Sequence, residues 1–262
     1  MEVTTKQIII NVIIDIVKGI IASSRLDLIF GVVLLDDKIR NILFTIVKFN
    51  CLVYWLPILL IMAIELLFGV SMWFVRLLYY PINLFSIMFH IFHYMYLINN
   101  VSHHVPRQLK TSGVFDTISL AITMSIYSAA IYLSTLIISF LLANFSSLAL
   151  LVNFTIMALY HSLYCFNNRW QYLLIKMQFR IDQLERLWPY YIGYGTIGSI
   201  LLSLTQNPIL LGVYNIYISL IIMIPFLLEA RYPYKISKYP SINLSIFSHL
   251  MNLIVRVTKR FF

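Results

Sequence analysis

The chain has 262 residues, of which 61% are hydrophobic and only 11% charged, with a net charge of +9. Soluble domains carry roughly 25% charged residues, so this composition excludes an ordinary soluble domain. The basic excess does not point to nucleic acid, because it sits in short loops and tails beside apolar runs, where membrane proteins carry it on their cytosolic side.

Residues 1–40 form an N-terminal helix and connector. From Lys6 to Ala22 the pattern is amphipathic: Asn11, Asp15 and Lys18 share one face, and Ile9, Ile13, Ile16, Val17 and Ile20 fill much of the rest. Such a helix is expected to lie in the membrane interface. No basic region followed by an uninterrupted apolar core and a cleavage site opens the chain, so insertion is expected to depend on the first membrane helix. Arg25 to Arg40 reads as a charged connector.

Residues 41–228 read as the membrane domain. A helix crossing the hydrocarbon core needs roughly 20 apolar residues. Residues 41–64 and 77–98 fit as two spans, with Lys48 able to snorkel and Glu65 to Arg76 as a turn or short interfacial piece between them. Glu65 reads as an interfacial cap near Trp73 and Arg76. Two longer charge-free runs, 117–168 and 187–228, are long enough to go into a bilayer and return. The first is expected to bend near Asn144 to Ser147 and the second near Thr205 to Pro208, where Asn-Pro initiates a turn. Residues 229–262 are a basic tail with a surface helix expected within 241–260. The fold class that follows is all-α integral membrane: a multi-pass helical bundle with two spans, two helical hairpins and amphipathic interfacial helices at both ends.

Side assignment follows from parity. The loop at 99–116, the charged island at 169–186 and the tail after Glu229 are separated by runs that return to the side they left. All three are net basic, and the opposite turns near Asn144 and Asn207 carry no charge. The island and both termini are therefore expected in the cytosol.

Motifs for chemistry are weak. His90 and His93 share a helix face and read as polar glue between membrane helices rather than as metal ligands with His103 and His104. Cys51 and Cys165 have neither disulfide nor zinc spacing. Gly193-Tyr194-Gly195-Thr196-Ile197-Gly198 spells a dinucleotide fingerprint but lacks the strand–turn–helix setting, so its small residues read as close packing or flexibility. Trp170 to Leu173 fits an aromatic-x-x-aliphatic pattern that autophagy adaptors bind, a pattern common by chance in so aromatic a chain. Trp188-Pro189-Tyr190-Tyr191 places interfacial aromatics and a first-turn proline where the chain returns to the membrane. No nucleophile–base pair is apparent. No catalytic, cofactor or metal role is expected, and the protein is not expected to be an enzyme.

Tyr160-His161-Ser162-Leu163-Tyr164-Cys165-Phe166, Arg169-Trp170, Leu184-Glu185-Arg186, Trp188-Pro189-Tyr190-Tyr191, Gly193 and Gly195 occur in an order and spacing that resemble the etoposide-induced autophagy transmembrane protein family of the endoplasmic reticulum. The CysZ sulfate permeases are its distant bacterial relatives. The specific part covers roughly 35 residues, and weaker likeness extends over most of the chain. The connector is shorter than the family's Arg-rich stretch, the chain stops at Phe262, and Asn99 to His104 stand where the family has an acidic segment. The resemblance implies a multi-pass endoplasmic reticulum membrane protein acting in autophagosome maturation, without catalytic residues. The expected partners are the lipid bilayer and autophagy or endoplasmic reticulum membrane proteins. The bacterial relatives suggest the alternative of an anion permease, with a small sulfate-type anion held at Gly193, Gly195 and Gly198 beside Arg186.

Overall fold

The computed structural model describes residues 5–68, 89–90, 93–94, 96–101, 146–173, 175, 177–204, 208–228 and 239–242. Among these the regular elements are all helical. Most of the expected second span, the first half of the 117–168 hairpin, His103, His104 and most of the basic tail lie outside the described residues. The chain divides into two compact units. One holds Met1–Ser24, Leu109–Ser199 and Glu229–Phe262, and the other Arg25–Gln108 and Ile200–Leu228.

Helix α1 (Thr5–Ser23) turns Gly19 and Ser23 inward and leaves Ile9, Ile10, Ile13, Ile14, Val17 and Ile21 exposed. It ends where Ser23 and Ser24 donate their hydroxyls to the Ile20 carbonyl at 3.0 and 2.8 Å, satisfying an acceptor of the last turn. Helix α2 (Leu26–Leu35) and helix α3 (Asp37–Asn50) occupy most of what reads in sequence as a connector. Asp36 makes the corner between them. Its extended backbone breaks the helix, its N–H closes α2 on the Val32 carbonyl at 2.9 Å, and its carboxylate accepts from the N–H of Lys38 and Ile39 at 2.8 and 3.3 Å. Asp36→Ala is therefore expected to cost about 1 kcal/mol in chemical unfolding of the purified protein, and Asp36→Ser to recover most of it.

A π-helical turn at Cys51–Trp55 joins α3 to α4 (Leu56–Phe68). Helix α4 runs through Glu65, where the sequence suggests the start of a turn or short interfacial piece: nothing from Ile58 to Phe68 breaks the helix, and the carboxylate alone does not end it. Helix α5 (Ser146–Tyr172) carries on through the first residues of the charged island. Helix α6 (Met177–Arg186) forms the remainder of the island, with Arg186 paired to Asp182 at 2.8 Å on an exposed i, i+4 face. Helix α7 (Trp188–Ser203) begins at the aromatic motif. Helix α8 covers Pro208–Ile221, and residues 205–207 of the second expected bend lie outside the described residues. The short α9 (Ile224–Leu227) buries Ile224, Pro225 and Phe226.

Among the described residues three segments are long and apolar enough to cross a membrane: Thr5–Leu35, Ser147–Trp170 and Leu210–Leu227. Only 17% of the apolar window in the first is buried, so most of its hydrophobic surface faces outward.

Candidate functional site

The motif residues assemble on α5 and α7, within the first unit. On α5, Ala158, His161, Ser162, Cys165, Phe166, Arg169 and Trp170 recur at three- and four-residue steps, and all are buried. On α7, Tyr191, Gly195, Gly198 and Ser199 form the facing stripe, also buried.

Glycine is what lets the two helices meet. A Cβ on Gly195 would fall on the backbone carbonyl of Ala158, with the Ala158 Cα at 2.9 Å. A Cβ on Gly198 would sit 2.9 Å from Cδ2 of the His161 ring. The other side of α7 meets α1 in the same way. A Cβ on Gly193 would collide with the Ile16 carbonyl, and one on Gly19 would collide with the Tyr190 carbonyl and lie 2.6 Å from the Tyr194 nitrogen. Helix α7 is thus pressed backbone to backbone between α5 and α1, an approach that only residues without a side chain at the contact allow.

Polar groups reinforce the contact. Ser162 donates its hydroxyl to the Tyr191 carbonyl. His161 Nδ1 lies 2.7 Å from the Met157 carbonyl and 3.3 Å from Ser199 Oγ, so Nδ1 carries the proton and donates to Met157. Above them Phe166, fully buried, takes Tyr191 and Tyr194 edge-on at 5.2 and 4.8 Å, and Trp170 packs on both Phe166 and Tyr191. The rings of Tyr160 and Tyr164, both half-buried on α5, lie 6.3 Å apart. Trp170 is only 3% exposed, which removes the aromatic that an adaptor would need from the Trp170–Leu173 pattern. Arg180 on α6 ties the end of α5 down, reaching Asn167 Oδ1 at 2.6 Å and the Ile175 carbonyl at 2.8 Å.

A short strap from the tail closes this assembly. Tyr239, 5% exposed, donates its hydroxyl to Asp15 Oδ2 of α1 at 3.2 Å. Trp188 Nε1 donates to the Pro240 carbonyl, and Ile242 N–H donates to the Glu185 carbonyl, both at 3.2 Å. The Trp188 and Tyr239 rings meet edge to face at 6.1 Å. Burial, and after it the neighbouring Asp15 carboxylate, push the Tyr239 phenol above its ordinary value. It therefore remains a donor through the physiological range. Residues 239–242 are not helical. The strap was not legible in the sequence, where Asp15 reads as part of the polar face of an amphipathic helix.

The structure thus brings His161, Ser162, Trp170, Tyr190, Tyr191, Gly193 and Gly195 into one packed core, with Arg169 buried at its α5 edge. It leaves the Arg186 side chain outside, 61% exposed in its pair with Asp182. Glu185 and Trp188 join the core through the strap, and Pro189 is buried in the first turn of α7. The partners Ile16, Gly19, Ala158, Asp15 and Tyr239 had no local signal.

A second polar cluster lies in the other unit, directly before the π-helical turn. Asn50, fully buried, donates its amide to the Ile46 carbonyl at 2.9 Å and to His90 Nε2 at 3.0 Å. Its Oδ1 accepts from Asn215 Nδ2 of α8 at 3.4 Å, and Tyr94 donates to the Asn215 carbonyl at 2.9 Å. His93 turns instead to the Phe89 carbonyl and stacks on the Phe89 ring. One turn further on, Trp55 packs on Gly212, where a Cβ would lie 2.8 Å from Nε1. Among the described residues no three His, Cys, Asp or Glu side chains are placed to hold a metal.

The chain is similar to uncharacterized protein L211 of Acanthamoeba polyphaga mimivirus, 34% identical over 241 residues that cover 91% of this chain and 92% of that protein. No protein-family model matches, and no solved structure matches.

Proposed function

We propose that this chain, which belongs to the same family as uncharacterized protein L211 of Acanthamoeba polyphaga mimivirus, is a non-enzymatic, multi-pass endoplasmic reticulum membrane protein that organises that membrane in support of autophagy. In this reading 41–64 and 77–98 span, the 117–168 and 187–228 runs form hairpins, both termini face the cytosol and α1 lies at the interface.

One observation carries the reading. The motif residues are used to lock three distant chain segments together: α1, the α5–α7 core and the strap at 239–242. Motif glycines that would open a path for an anion instead abut Ile16, Ala158 and His161 of the same chain. A motif used in this way supports a rigid membrane-face scaffold for lipid headgroups and partner proteins.

The test is a full-length fluorescent fusion in eukaryotic cells, scored for location and for degradation of an autophagy cargo. Reticular endoplasmic reticulum signal and stalled cargo degradation on depletion are expected. A fusion found only at the plasma membrane, or unchanged degradation, would count decisively against the proposal. The alternative, a sulfate-type anion permease, is motivated by Tyr191: its hydroxyl is buried and has no hydrogen-bond partner among the described residues. Saturable sulfate uptake by purified protein in sealed liposomes, absent from empty ones, would favour that alternative.

A further inference from the structure

We infer that α2 is an in-plane membrane helix, with its outer stripe immersed in the acyl chains of one leaflet and both ends held at the same headgroup layer. The inference rests on the membrane reading above and goes beyond it, because in sequence this segment reads only as a charged connector.

The helix is apolar on every side. From Leu28 to Leu35 it contains no polar side chain. Its inner face packs on α3 and α9, with Ile29 only 3% exposed. Its outer face carries Leu26, Phe30 and Leu34 at i, i+4 and i+8, with Phe30 63%, Leu34 75% and Leu35 86% exposed. Gly31 opens outward as well, since a Cβ there would meet nothing within 4 Å. A helix packed on one face and facing water on the other carries polar residues on the outside. This one carries its largest side chains there.

Length and charge decide the orientation. Ten residues rise about 15 Å, half of the roughly 30 Å hydrocarbon core. Arg25 and Asp27 pair at 2.7 Å at one end, with 45% and 60% of their side chains exposed. Asp36, Asp37, Lys38 and Arg40 mark the other end, where Arg40 pairs with Asp37. Neither end can be left in hydrocarbon at acceptable cost, and a helix this short cannot bring its ends to opposite surfaces. Both ends therefore sit at one surface, and the stripe between them dips into that leaflet. Although Thr5–Leu35 is long enough as a run to cross a membrane, its helix is interrupted at Ser24–Arg25, where Arg25 leaves the helical conformation before α2 begins.

The test uses full-length protein with Cys51 and Cys165 replaced, reconstituted in phosphatidylcholine–phosphatidylserine liposomes. Single cysteines are introduced by Arg25→Cys, Phe30→Cys, Leu34→Cys and Lys38→Cys, with Leu150→Cys on the exposed outer face of α5 as a reference. Spin labels at 30 and 34 are expected to collide readily with oxygen and poorly with a water-soluble nickel chelate, at a shallow depth. Residues 25 and 38 are expected to react with an impermeant maleimide from the same side. Labels at 25 and 38 that react from opposite sides would overturn the inference. So would labels at 30 and 34 shielded from both collision partners, which would place protein rather than lipid on the stripe. Chelate access at 30 and 34 with a lipid-embedded label at 150 would refute the α2 placement alone. Chelate access at all three would refute the membrane reading itself.

Discussion

Gly195→Leu is expected to abolish the folded protein, with the purified variant aggregating or losing its cooperative unfolding transition. The reason is local and steric. The side chain would have to occupy the space of the Ala158 backbone, and backbone cannot rotate out of the way. Ordinary overpacking costs about 1–3 kcal/mol because side chains and backbone shift to absorb it. Here the shift required is separation of α5 from α7, which also breaks the Ser162 hydrogen bond to Tyr191 and opens the Phe166 aromatic cluster. The cost should therefore exceed that range, and Gly193→Leu should behave alike through its contact with Ile16 of α1. Gly31→Ala on α2 is the control: it meets open space, and it is expected to be neutral or slightly stabilising, because alanine is the better helix former. Near-wild-type unfolding of Gly195→Leu would mean that the α5–α7 contact does not hold the protein together.

Asn50→Leu is expected to destabilise the protein by roughly 2–4 kcal/mol, because it strips a partner from both His90 and Asn215 in a buried setting. Asn50 is the only one of the three that touches both others among the bonds described. Its amide donates twice and its oxygen accepts once, which fits His90 in the tautomer that leaves Nε2 free to accept. The pair should be strongly non-additive. Once Asn50 is leucine, His90→Leu removes a group that has already lost this bond, so the double variant should be little worse than Asn50→Leu alone. Chemical unfolding in detergent or mixed micelles reads out both. Strict additivity would show that the two residues do not act as a pair. The cluster abuts a π-helical turn, whose extra residue re-aims the chain between α3 and α4.

Much of the helical outline was readable beforehand. The charge-free runs predicted helices, and α5, α7 and α8 fall largely within them, while most of the two expected bends lies outside the described residues. Trp188-Pro189 marked the start of α7, because a proline is tolerated in a first turn and an indole favours the interface. Glu65 to Arg76 reads as a turn or short interfacial piece, and α4 continues through its first four residues to Phe68, since a single carboxylate in an apolar run does not break a helix. The segment from Arg25 to Arg40 was read by its charges. Those charges cluster at the ends of a helix that is apolar between them.

The motif's location was legible, and its partners were not. Gly193 and Gly195 could be read as close packing, flexibility or an anion cradle, because a glycine states only that something comes near. That the neighbours are Ile16 and Ala158 depends on how helices far apart in the chain come together. The same holds for Asn50 with His90 and Asn215, and for Asp15 with Tyr239. The physical reason lies in the composition. In a soluble chain, polarity separates the outward face of a helix from the inward one. In a chain that is 61% hydrophobic, outward and inward faces are both apolar and look alike. Length, charge placement and helix boundaries therefore follow from residue order. The pairing of faces follows from where small residues let backbones touch and where buried amides, hydroxyls and imidazoles find each other.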